Sequence, residues 1–154
     1  MFGHVGNKIL LIATLYICLC LVLCSCMAVT DWTYSKLPYG YEIWHVNSEC
    51  IRVGKREEYS LSDPINRYVV EFCYNSKYIC IKAIDFELVE KYSPDFIIDD
   101  YDLSLEYFII DAETDAVYGG YNYSDFETEI ASLDINDLCE WIATVPTPEG
   151  AHYG

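Results

Sequence analysis

Ser104-Leu-Glu-Tyr-Phe-Ile-Ile-Asp111 is the stretch on which the fold turns. Tyr107, Phe108, Ile109 and Ile110 are consecutive and all apolar, so a strand built from them is apolar on both faces and needs cover on both. It reads as the centre of a sheet. Ala112 to Asp115 then turns the chain into a second strand, Ala116-Val-Tyr-Gly119. Beyond it, Ser124-Asp-Phe-Glu127 has the form of a capping box, in which a Ser hydroxyl and a Glu carboxylate satisfy free backbone donors of a helix. Phe126, Ile130 and Leu133 follow at helical spacing and supply a stripe to dock on the sheet. A further short helix or turn from Asn136 carries Leu138, Trp141 and Ile142, and residues 146–154 read as a flexible tail.

Upstream lie two hairpin patterns. Tyr41 to Val46 and Glu49 to Gly54 flank Asn47-Ser48; a two-residue loop there sets Trp44 opposite Ile51 and His45 opposite Cys50. Tyr68 to Tyr74 and Lys77 to Ala83 flank Asn75-Ser76, with Val70, Phe72, Ile79 and Ile81 on one apolar face. With a two-residue loop Cys73 and Cys80 are diagonal neighbours beyond disulfide reach, and with a four-residue loop they are directly opposed; the sequence leaves both open. Lys55 to Asn66, with Ser62-Asp63-Pro64, reads as a loop, with or without one helical turn started by Pro64. Phe86-Glu-Leu-Val89 reads as a continuation of a strand, followed by an acidic loop through Asp99-Asp100-Tyr101-Asp102.

Strands first and a helix last define an α+β domain: an antiparallel sheet of about five to seven strands built from hairpins, with one or two C-terminal helices on one face. The expected organisation is a leader over 1–25, a lipidated Cys and tether over 26–40, one globular domain over 41–145, and the tail over 146–154.

The front of the chain is different in kind. Ile9 to Val29 is an uncharged apolar run of 21 residues, preceded by Lys8, the only charged side chain before it. Such a run is an export signal or, left uncleaved, a membrane span. It places the remainder outside the cytoplasm in either case. Residues 26–154 hold all 25 carboxylates and 8 of the 9 Lys and Arg, a formal charge of −17. That surface repels phosphate, which excludes a nucleic-acid partner.

Few motifs carry chemistry. Asp111-Ala-Glu113-Thr-Asp115 spaces carboxylates as a calcium loop begins, but Ala116 stands where Gly is needed and Asn122 where Glu is needed. The five carboxylates Asp95, Asp99, Asp100, Asp102 and Glu106 read as a solvated acidic loop rather than a hard-cation site. His45 beside Cys50 has the elements of a nucleophile and base, and is more simply structural. The expectation is no catalytic residue, no metal and no cofactor. Cys50, Cys73, Cys80 and Cys139 are either small buried hydrophobes or the source of one disulfide. The remaining signal is aromatic: Tyr118, Tyr121 and Tyr123, in Tyr118-Gly-Gly-Tyr-Asn-Tyr123, form a candidate interaction surface, since Tyr offers wide contact at small rotamer cost.

Leu23-Cys24-Ser25-Cys26 resembles the bacterial lipobox, in which an aliphatic residue and a small residue precede the Cys that takes a diacylglycerol. Tyr107 to Asp111, Val117-Tyr-Gly119, the capped helix from Ser124, and Leu37-Pro-Tyr-Gly-Tyr-Glu-Ile43 together resemble small uncharacterised lipoproteins of Gram-positive bacteria, filed as a domain of unknown function. The resemblance implies lipidation at Cys26 and an extracytoplasmic place at the cell membrane, and implies no catalytic residues. Taken with the charge, the expected function is a non-enzymatic, membrane-anchored binding module that meets a basic protein or a cell-envelope component. The alternative is an acidic immunity or inhibitor protein that masks a basic toxin or enzyme. A surface hydrolase built around His45 is a third.

Overall fold

In the computed structural model, residues 32–47, 50–56, 61–92 and 105–153 are described. The leader, Cys26, the tip of the first hairpin and the acidic run Asp95 to Asp102 lie outside them. The segment from Asp31 onward forms one compact unit.

The class is α+β with antiparallel pairing throughout, and the strands divide between two sheets. The first runs β10-β1-β2-β3-β4, built from β1 (Trp32–Tyr34), β2 (Tyr41–Asn47), β3 (Cys50–Arg56), β4 (Leu61–Ser62) and β10 (His152–Tyr153). The second runs β8-β7-β6-β5-β9, from β5 (Tyr68–Tyr74), β6 (Tyr78–Ile84), β7 (Glu106–Asp111), β8 (Ala116–Tyr121) and β9 (Ile142–Ala143). Helix α1 (Phe86–Tyr92) follows β6, and α2 (Tyr123–Ser132) follows β8.

Alternation along β7 explains why its sequence is apolar on both faces. Phe108 and Ile110 point into the core between the sheets, with Ile43, Ile51 and Val53 from the first sheet and Phe72, Ile79 and Ile81 from the second. Tyr107 and Ile109 point the other way, into a second apolar cluster with Cys73, Cys80, Phe126 and Ile135, covered by α2. The second sheet is thus the middle of three layers. Each fully buried Ile or Phe contributes roughly 1.5–3 kcal/mol by leaving water, and the larger core is the one between the sheets.

Several expectations change. The first hairpin pairs Asn47 with Cys50 at its tip and, past a bulge between His45 and Asn47 that shifts the register by one residue, His45 with Ile51 and Trp44 with Arg52. Ile43, Ile51 and Val53 therefore face the core, and Trp44 lies on the opposite face, its indole N–H donating to Glu42 at 2.7 Å. Phe86 to Val89 belongs to α1, started by Asp85, whose carboxylate accepts the Glu87 N–H at 2.9 Å. The cap of α2 is Asn122 rather than Ser124; its Oδ1 accepts the Asp125 N–H at 3.0 Å and its Nδ2 donates to Asp125 at 2.8 Å. Residues 136–141 form no helix and lead without a regular element into β9, with Asp137 at φ 58°. Residues on both flanks of the expected domain belong to the fold: Trp32, placed in the expected tether, is 4% exposed, and His152 and Tyr153 of the expected tail pair with Thr33 and Trp32.

Two local devices hold the second sheet. In β5 the register jumps between Val69 and Glu71; the Thr144 hydroxyl lies 2.9 Å from both the Val69 and Val70 carbonyl oxygens, and its N–H donates to Val70 at 3.0 Å. That buried threonine satisfies the carbonyls that the bulge frees. In β8, Gly119 sits opposite Phe108, where a Cβ would lie 2.1 Å from the ring, and Gly120 takes up the neighbouring register shift at φ +75°. The turn from β7 to β8 is closed by Asp111, which is 7% exposed. Its carboxylate accepts from the backbone of Glu113 at 3.1 Å and Thr114 at 3.2 Å and pairs with Lys77 at 3.3 Å. Burial raises the Asp111 pKa, but these donors outweigh it and hold the carboxyl below its usual range. At the end of that turn Asp115 receives the Tyr41 hydroxyl at 3.0 Å and the Lys55 ammonium, which ties the second sheet to the first.

Candidate functional site

The outer face of the second sheet is built to leave a gap. Helix α2 lays Phe126 and Ile130 on β7, and the chain then doubles back past Ile135. From there it is strapped to the end of β5: Asn75 Nδ2 donates to the Asn136 carbonyl at 2.8 Å, and the Cys139 N–H donates to the Tyr74 carbonyl at 3.0 Å. In return, the Tyr74 N–H points at the Cys139 thiol at 3.2 Å. Between helix and strap opens a cleft of about 420 Å³ with an apolar wall of Phe126, Ile130, Ile135, Leu138 and Trp141, Cys73 among its lining, and Glu127 and Asn136 as polar members.

One end of the cleft is aromatic. The Tyr107 ring contacts Phe126 at 5.0 Å, Tyr123 edge-on at 5.6 Å and Trp141 edge-on at 6.4 Å between centroids. The Lys82 ammonium lies 5.6 Å from the Trp141 centroid and 6.0 Å from that of Tyr107, and is already bound to Glu71 at 2.6 Å. A cation held by a carboxylate and two ring faces has little left to offer an anion.

Electrostatics make this face one-signed. From residue 92 to 154 the sequence has 15 Asp and Glu and no Lys or Arg. Asp125, Glu127, Asp134, Asp137 and Glu140 are exposed on α2 and the strap. Most described cations are paired elsewhere: Arg52 with Asp63, Lys55 with Asp115, Arg56 with Glu42, Arg67 with Glu106 and Asp85, Lys77 with Asp111 and Glu113; Lys36, exposed, lies 5.9 Å from the ring of Tyr34 in the first sheet. Glu127, hydrogen-bonded to Tyr123 and repelling its anion, pushes that phenol above its usual range. Burial, with Glu129, Tyr118 and Asp125 nearby, does the same to Tyr121.

The candidate residues named from the sequence are placed unequally. Tyr118 and Tyr121 are half-buried and pack against the second apolar cluster, whereas Tyr123 is 55% exposed beside the cleft. His45 does not face Cys50. It stacks on Trp32 at 5.6 Å with its Nδ1 buried and unpartnered, while the Cys50 thiol accepts from Arg52 Nε at 3.0 Å. The pairing expected of a nucleophile and base is therefore absent. Among the described residues no group of three or more His, Cys, Asp or Glu is arranged to hold a metal ion, and no helix is long and apolar enough to cross a membrane. Sequence reading missed Cys73, Cys139 and Trp141 as cleft residues.

Two antiparallel sheets with a helix closing an acidic, aromatic cleft on the outer layer define the architectural class. Residues 38–141 match the family model described as "Protein of unknown function (DUF3997)", and the chain belongs to that family. No curated protein and no solved structure matches it.

Proposed function

We propose that the protein is a lipid-anchored binding module on the extracytoplasmic face of a bacterial membrane, of Gram-positive type, that receives a cationic and partly apolar segment of a partner protein in the cleft beneath α2. The observation that carries this reading is the cleft itself: an apolar, aromatic wall with Glu127 in its lining, on a helix and strap that expose Asp125, Asp134, Asp137 and Glu140 and contain no Lys or Arg. An apolar floor rewards burial of the partner's side chains, and the uncompensated carboxylates speed and orient the approach of a basic one. The lipobox at Leu23 to Cys26 supports the anchor; two or three acyl chains, at about 0.8 kcal/mol per buried methylene, hold a domain firmly at a membrane. Masking of a basic toxin or enzyme is the special case in which that partner is harmful to the host cell.

Two measurements test the proposal. Intact mass of the detergent-extracted wild type is expected to show a chain starting at Cys26 and bearing lipid, whereas Cys26→Ala is expected to keep its leader, carry no lipid and accumulate as precursor. Recovery of an unmodified wild-type chain beginning at Met1 defeats the anchor. For the cleft, the full-length protein is titrated with a peptide alternating Lys and Leu and with an all-Lys control. The amphipathic peptide is expected to bind more tightly, with affinity falling as salt rises. Glu127→Lys is expected to weaken it by at least about tenfold, as is Trp141→Ala. Equal binding of both peptides, untouched by either substitution, removes the cleft from the proposal.

A further inference from the structure

We propose that Cys73 and Cys80 form a disulfide, a covalent rung between β5 and β6 under the acidic cleft. The two residues are direct register partners in the hairpin. Four residues, Asn75 to Tyr78, close it instead of two. Asn75 selects that loop, since its Oδ1 accepts the N–H groups of Lys77 at 2.9 Å and Tyr78 at 2.7 Å while its own N–H donates to the Tyr78 carbonyl at 3.0 Å. Direct partners in an antiparallel pair have Cα atoms about 4.5–5.5 Å apart, inside the range that a disulfide spans.

Both side chains leave the same face of the sheet and are almost wholly buried, 1% and 0% exposed. The hydrogen bond between the thiols, together with burial, pushes the Cys73 thiol well above its usual pKa. With the Cys73 thiol held protonated and both sulfurs shut away from solvent, exchange is slow once folded, so the bridge closes while the hairpin is still open to solvent. The other two described cysteines are engaged apart from this pair, Cys50 with Arg52 in the first sheet and Cys139 with the Tyr74 N–H at the strap.

The chemistry needs an oxidant of the disulfide class, such as glutathione disulfide or the oxidised dithiol of an exchange protein. One cysteine thiolate attacks a sulfur of that disulfide and releases the first thiol. The second thiolate then attacks the mixed disulfide and releases the other. Two protons leave the cysteines and two electrons pass to the oxidant. The proposed export bears on the inference only as the source of that oxidant, because exported chains meet oxidising surroundings. The consequence for the cleft is mechanical: the hairpin end that carries the strap, through Asn75 on Asn136 and Tyr74 on Cys139, becomes covalently closed.

The test uses the full-length protein, purified in detergent, unfolded and refolded in a mixture of reduced and oxidised glutathione, then alkylated and digested with trypsin. Cleavage after Arg67, Lys77 and Lys82 puts the two cysteines on different peptides, Tyr68 to Lys77 and Tyr78 to Lys82. The expected product is those two peptides joined, two hydrogens lighter than their sum, with Cys50 and Cys139 alkylated. Reduction is expected to lower the Tm of the wild type by roughly 5 °C and to leave that of a Cys73→Ala/Cys80→Ala double variant unchanged. Separate, alkylated peptides from the refolded protein overturn the proposal, as does a bridge to Cys50 or Cys139. The outcome is independent of the anchor reading: a joined pair in a chain that cells leave unprocessed and unlipidated at Met1 sustains the disulfide and ends the lipid anchor.

Discussion

Phe72→Ala is expected to lower the stability of the protein by about 3–5 kcal/mol, the cost of emptying a large, fully enclosed aromatic site. Phe72 has no exposed surface and lies at the centre of the layer shared by the two sheets. Its ring meets Tyr34 of β1 edge-on at 5.0 Å and lies beside Tyr74 at 6.5 Å. Above it, the phenols of Tyr34 and Tyr74 share a hydrogen bond at 3.0 Å. Removing the ring takes away the edge-to-face contact and leaves the neighbouring sheets to collapse or to line a void. For a domain of this size the loss corresponds to a fall in Tm of roughly 10–20 °C. Thermal or urea unfolding of Phe72→Ala beside Phe72→Leu measures it, with the leucine variant expected to lose much less. A Phe72→Ala variant as stable as the wild type contradicts the two-sheet core.

Gly54→Ala is expected to cost about 2–4 kcal/mol, at the upper end of what overpacking does, because the neighbour that it meets is backbone. A Cβ on Gly54 would stand 1.6 Å from the Ser62 carbonyl oxygen and 3.1 Å from the Trp44 ring. No rotamer change relieves the first contact. Strand β4 has to leave β3, which breaks the pairing of Lys55 with Ser62 and Arg56 with Leu61 and displaces Asp63 from Arg52, its partner at 2.8 Å. Hydrogen exchange at the backbone amides of β3 and β4 is expected to accelerate along with the loss of Tm. Gly120→Ala is the control. It has open space around it but a φ of +75°, so its cost is confined to about 1–2 kcal/mol of backbone conformation.

The legible part of the fold was the part with one physical reading. Tyr107 to Ile110, apolar on both faces, demanded two layers of cover, and Phe126 and Ile130 at helical spacing supplied one of them. The other layer, a second sheet, was hidden in the first hairpin. Ile43 and Trp44 are adjacent and both apolar, so alternation does not say which faces inward, and a bulge after His45 settled it in favour of Ile43. Asp85 ahead of Phe86 was an available start signal for α1, outweighed in reading by the strand-like residues beside it. In the second hairpin the decision lay with one amide oxygen, that of Asn75, which no hydrophobic pattern reports. The cleft was the least legible. It draws Cys73 from a strand, Phe126 and Glu127 from a helix and residues 135–141 from a strap without periodicity, and only the tertiary fold brings these together.

The pairing of Trp32 with Tyr153 has a practical corollary. Amino and carboxyl ends of the folded body emerge side by side on the margin of the first sheet, while helix α2 lies on the outside of the second. A linker of a few residues is enough to splice those ends into a continuous loop. A fluorophore or affinity handle appended beyond Tyr153 is carried on the edge strand of the first sheet rather than on the helix beside the groove.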